Sequence, residues 1–80
     1  MKVRVLVRLK SGVLDVQGKA VERSINENGF PGISALRVGK VIEFEASSGD
    51  REQIMAEAKT ICEKILVNPI IEQFEIQFPE

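Results

Sequence analysis

The chain alternates at both ends and runs with a helical rhythm between them, and that order of periods narrows the folds open to it. Residues 3–10, VRVLVRLK, set Val3, Val5, Val7 and Leu9 on one face and Arg4, Leu6, Arg8 and Lys10 on the other, the period of a half-buried strand. From Ile71 to Phe78 the tail alternates again, with Phe74, Ile76 and Phe78 opposite Gln73, Glu75 and Gln77. Behind the first strand, Val16, Ala20, Val21, Ser24 and Ile25 recur at helical spacing. Asp15 can cap that helix by accepting backbone N–H groups two or three residues on, and Asn28-Gly29 closes it. Ile33–Val38 and Val41–Ala46 read as two further strands, joined by Gly39-Lys40 in a type II′ hairpin turn. After Ser47-Ser48-Gly49-Asp50 as loop and cap, a second helix runs from Arg51 to about Val67. Its stripe is Ile54, Ala58, Ile61 and Ile65, with Met55, Cys62 and Leu66 beside it, until Asn68-Pro69 stops it.

The order βαββαβ predicts one α+β domain over residues 1–80, a ferredoxin-like two-layer sandwich. Four antiparallel strands form the sheet, strands one and three are central, and both helices lie on one face. On the other face Arg4 and Arg8 are expected near Glu43 and Glu45, as opposite charges on neighbouring strands. Leu6, Ile33 and Val41 share that face, which is too apolar to be fully wet and implies a second subunit over part of it. Length points the same way. A chain of 80 residues buries only about 60% of its unfolded surface, and with one cysteine no internal disulfide is available, so oligomerisation is the expected supplement.

Composition excludes several function classes. There is no histidine, which removes imidazole acid-base chemistry and the usual zinc sites. Cys62 falls in the apolar stripe of the second helix with no base to ionise it, and reads as a small buried hydrophobe. Glu43, Glu45, Glu72 and Glu75 read as solvated strand charges. The formal net charge is −1 and Phe is the only aromatic, so the basic patch with stacking rings that nucleic acid needs is missing. No long apolar run suggests a signal peptide or a membrane span, and a lone cysteine suits a reducing compartment, so the expected location is the cytoplasm.

Residues 10–20, KSGVLDVQGKA, open a helix N-terminus, yet their spacing matches neither GxGxxG nor GxxxxGK[ST], and Asp15 would repel a phosphate. Gly12 is explained as a turn residue. Gly18 is not, since glycine in the first turn of a helix costs up to about 1 kcal/mol relative to alanine. Close approach of another backbone or subunit is the inferred reason. Arg37 and Lys40 would place two cations at one end of the sheet, where an anionic ligand or an acidic partner surface can meet them.

Taken together, Lys10, Gly12-Val13-Leu14-Asp15, Gln17-Gly18, Ala20-Val21, Gly29-Phe30, Arg37-Val38-Gly39-Lys40 and Cys62 through Glu72 resemble the PurS family, small subunits of phosphoribosylformylglycinamidine (FGAM) synthase. The resemblance runs over essentially the whole chain. It departs at Val16, where the family often has proline, and at Asn28, where leucine is frequent; Val67 and Ile70 stand where alanine and valine are common. The resemblance implies a non-catalytic subunit in purine biosynthesis, a homodimer or homotetramer with no cofactor or metal of its own. In such a complex a PurL-type synthetase uses ATP and magnesium, a PurQ-type glutaminase supplies ammonia, and the small subunit bridges them and assists ammonia transfer. It also points to partner contacts at Lys10, Gly12, Val13, Asp15, Gln17 and Gly18, at Arg37, Gly39 and Lys40, and at Asn68, Pro69, Ile71 and Glu72. In the expected fold these three groups need not share one edge. A different class of function, a small-ligand regulatory module with Gly12–Asp15 at a subunit interface, is the alternative.

Overall fold

The computed structural model describes residues 1–47 and 49–79; of the expected loop around Asp50, Ser48 lies outside the described residues. Strand β1 (Lys2–Leu9) is central, with β2 (Lys40–Glu45) and β3 (Glu72–Gln77) antiparallel on either side of it. Pairing Val5 with Ile42 and with Ile76 sets one apolar face, so that Val3, Val5 and Val7 lie side by side with Ile42, Phe44, Phe74 and Ile76 as the alternation requires. Helix α2 (Arg51–Ile61) covers that face, its N-terminus capped by the Asp50 carboxylate, which accepts the Gln53 N–H at 2.8 Å. Ile54, Ala58 and Cys62, four residues apart, are fully buried against the three valines.

Past Ile61 the helix widens into a π turn (Cys62–Leu66), closed by the Val67 N–H donating to the Cys62 carbonyl at 3.0 Å. The wider turn swings the stripe round. Cys62 and Val67 face the sheet, while Ile65, expected on the core side, is 76% exposed.

The expected fourth strand does not form, and the sheet has three. Ile33–Val38 had the propensity of a strand, but two of its donors are taken by side chains of helix α1 (Val16–Glu27) and of its N-cap. The Leu36 N–H donates to Glu22 Oε1 at 2.9 Å and the Val38 N–H to Asp15 Oδ2 at 2.8 Å. Ala35, just before them, has φ 56°, which breaks an extended run. Gly39-Lys40 is therefore no hairpin turn. Gly39 carries the chain across β1 so closely that a Cβ there would lie 2.6 Å from the Val7 carbonyl oxygen, and Lys40 opens β2.

Nor do both helices cover the sheet. The only buried residue of α1 is Gly18, and Val16, Ala20 and Val21 of its stripe are exposed. On the open face of the sheet, Arg4 and Glu43 pair as expected, Nε to Oε2 at 2.7 Å, but Glu45 stands opposite Lys2 and Arg8 opposite Gln73. With α1 off the sheet the molecule measures 49 × 28 × 14 Å and has a radius of gyration of 16.0 Å, against about 12 Å for a compact chain of this length.

Candidate functional site

The three groups of suspected contact residues converge on one end of the sheet, the end where β1 stops and α1 begins. Lys10 holds them together: its Nζ donates to the Pro69 carbonyl at 2.7 Å, its N–H to the Ile71 carbonyl at 2.8 Å, and its own carbonyl accepts from Arg37 Nη2 at 3.3 Å. Gly12 makes the turn with φ 89°, and half-buried Val13 closes it by donating its N–H to the Lys10 carbonyl at 3.1 Å. Asn68 shapes the far loop. It gives its N–H to Glu72 Oε1 at 2.7 Å and receives the Ile70 N–H on its own Oδ1 at 3.1 Å. Lys40 Nζ reaches to 3.9 Å from Glu72 Oε2 across the inner face.

Asp15 is the buried polar group of the site, 5% exposed. One carboxylate oxygen accepts the Gly18 N–H at 2.7 Å, the helix cap expected from the sequence; the other accepts the Val38 N–H, with Arg37 Nε 3.9 Å away. The Val38 N–H, and then the Gly18 N–H, hold the carboxyl below the usual carboxylate range; burial opposes them and Arg37 adds a smaller pull in the same direction. Gly18 now has its reason. A side chain there would collide with the Asp15 carboxylate and come within 3.0 Å of the Leu36 carbonyl oxygen, so a second backbone does approach, from within the same chain.

Sequence reasoning missed Glu22, which fastens Leu36, and Arg8, which faces the same end. A glutamate on an exposed helix and an arginine in an alternating strand carry no local mark of such roles. Beneath the start of α1 lies an open cavity of about 270 Å³, bounded by Asp15, Gln17, Gly39, Lys40 and Glu72. Its carboxylates are engaged by backbone N–H groups. Elsewhere Glu43 is held below the carboxylate range by its hydrogen bond from Arg4, and Cys62 is pushed up by burial, with the Glu63 charge adding to it, so the thiol stays protonated at neutral pH. Among the described residues no group of histidine, cysteine, aspartate or glutamate is arranged to hold a metal ion.

Fold and site define a small α+β domain whose polar groups organise its own backbone and whose first helix leaves its apolar residues open at the surface, an arrangement suited to contact with other chains. It is a domain of known kind: the chain belongs to the PurS family, matching over residues 2–80 the family model described as phosphoribosylformylglycinamidine (FGAM) synthase. It is 35% identical over 79 residues to the FGAM synthase subunit PurS of Bacillus subtilis, covering 99% of this chain and 93% of that one. The PurS subunit of Methanocaldococcus jannaschii is 32% identical, with 95% and 92% covered. A solved structure of B. subtilis PurS superposes with a TM-score of 0.87 over 99% of this chain and 98% of that one, at 35% identity. A chain in the structure of PurLQS from Thermotoga maritima matches with a TM-score of 0.87 at 33% identity, covering 95% of this chain and 93% of that chain.

Proposed function

We propose that this chain is the non-catalytic bridging subunit of an FGAM synthase complex, joining a PurL-type synthetase to a PurQ-type glutaminase and assisting the passage of ammonia between them. The observation that carries the reading is uncovered surface. The chain exposes 5794 Å², where a compact monomer of its size exposes about 4,800 Å². The excess is about 1,000 Å², on the order of one partner's share of a standard interface, about 800 Å². Leu14, Val16, Val21, Phe30 and Ile33, all exposed, line the segment that stands off the sheet. Homodimer or homotetramer formation covers part of this surface and the two larger subunits the rest. The relative solved within PurLQS of T. maritima supports the same role.

Catalysis, ATP and magnesium belong to the large subunit in this reading. The residues here do not suit those groups: magnesium needs free oxygen ligands, and the buried carboxylate is engaged by backbone N–H groups. The complex works in the cytoplasm, a reading supported by the lone reduced cysteine and by described helices that are none of them long and apolar enough to cross a membrane. Reconstitution tests it. With all three chains present, glutamine-dependent and ammonia-dependent FGAM formation both proceed; leaving this chain out abolishes the first and spares the second. Unchanged glutamine-dependent turnover without the chain overturns the bridge.

A further inference from the structure

We propose that the notch where β2 stops short of β1 is a docking groove for an extended acidic segment of a partner subunit, an inference that rests on the bridging role. Strand β1 runs on to Leu9, but the last β1–β2 pair is Val7 with Lys40, so Arg8 and Leu9 project past the end of the ladder. Gly39 turns the chain away over the Val7 carbonyl and leaves the notch open. The groove so formed, about 310 Å³, is lined by Leu6 and Val41 on the open face of the sheet and by Leu9, Arg8, Arg37 and Lys40 around the strand end. Among the described residues no carboxylate lines it.

Three cations in one groove are a local concentration, because the whole chain carries a formal charge of −1. Neighbouring acids reduce that charge only in part. Asp15 stands 3.9 Å from Arg37 but already takes two backbone N–H groups, and Glu72 stands 3.9 Å from Lys40 while accepting the Asn68 N–H. Arg8 makes no ion pair among the described residues. It projects to the open face of the sheet and Lys40 to the helix-covered face, so the two cations straddle the strand edge.

That spacing selects the occupant. A compact anion is poorly served, since the cations are spread over two faces, the groove is open, and much of its lining is aliphatic. An extended peptide laid along an unfinished sheet edge sends alternate side chains to the two faces, so one carboxylate meets Arg8, its neighbour meets Lys40, and an apolar residue settles on Leu6 and Val41.

Binding of this chain to its synthetase and glutaminase subunits, with wild type, Arg8→Glu and Arg8→Gln compared, tests the groove. Arg8→Glu is expected to weaken assembly about tenfold and Arg8→Gln less, with the circular dichroism unchanged. Raising salt from about 50 to about 300 mM should weaken the wild-type complex several-fold, a readout that needs no variant. A zero-length carbodiimide, which joins lysine to carboxylate, should link Lys40 to an aspartate or glutamate of a partner. Coupling of Lys40 only to its own Glu72, or Arg8→Glu binding as tightly as wild type, overturns the groove and leaves the bridge standing. Failure of the wild-type chain to bind either subunit overturns the bridge itself.

Discussion

Asp15 sits where the turn after β1, the first turn of α1 and the segment before β2 meet, and its two oxygens divide the work. Its role as a cap was legible because a cap answers to N–H groups three residues away. Its hold on Val38, 23 positions on, had no local signal. Asp15→Asn replaces one oxygen by an NH₂ that faces an N–H donor, so the variant should be less stable in urea at neutral pH. The sign with pH follows from the lowered folded pKa. The stabilisation from Asp15 is complete above the unfolded value, about 3.9, and is lost as pH falls through the folded value. The gap between wild type and Asp15→Asn should therefore close in acid; a gap that stays constant would show that ionisation of Asp15 contributes nothing. Gly18→Ala tests the same joint from the helix side. Alanine favours the helix by up to about 1 kcal/mol, but its Cβ meets the Asp15 carboxylate and the Leu36 carbonyl, and a net loss of about 1–3 kcal/mol is expected from denaturant unfolding.

At the scale of elements, strands β1, β2 and β3 and both helices were legible, since each shows its period within a few residues. The alternation in β1 alone identified the core valines. Ile33–Val38 shows the limit of that reading. A strand is completed by a neighbour's backbone, and here Glu22 and Asp15 reach the donors first. The π turn is a similar case, for a stripe of Ile61 and Ile65 implies an unbroken 3.6-residue period and one wider turn changes which residue faces the sheet. Two substitutions separate the readings. Val5→Ala, at a side chain with no exposure, should cost about 2 kcal/mol, whereas Ile65→Ala should stay within about 0.5 kcal/mol. A large loss at Ile65 in the isolated chain would restore the unbroken stripe.

For the molecule as a whole, the sheet and α2 form a core, and α1 with the segment after it forms an arm. Glu22 and Asp15 bind the arm together and Gly39 passes it across β1. Because no side chain of α1 is fully buried in this chain, its amides should exchange with solvent much faster than those of β1 when the protein is dilute, and slow down on assembly. Hydrogen exchange followed by mass spectrometry reads both states; equal protection of α1 and β1 in a dilute monomer would mean that the helix is packed after all. The residues suspected of partner contact stood out singly in the sequence, Gly18 as a glycine without a local purpose and Arg37 and Lys40 as cations. Their meeting at one end of the sheet did not.

What the sequence determined by itself was the period of the three strands, the start and cap of each helix, the face of β1 that is buried, and membership of the PurS family. These depend on residues within about four positions of one another, or on their identity alone. The tertiary structure alone decided that Ile33–Val38 would be a strap along α1, that three strands would make the sheet, and that Lys10, Asp15, Arg37 and Glu72 would share one end of it. Each of those outcomes is a competition for backbone donors and for apolar cover among groups 14, 23 or more positions apart, and only the folded chain brings the competitors together.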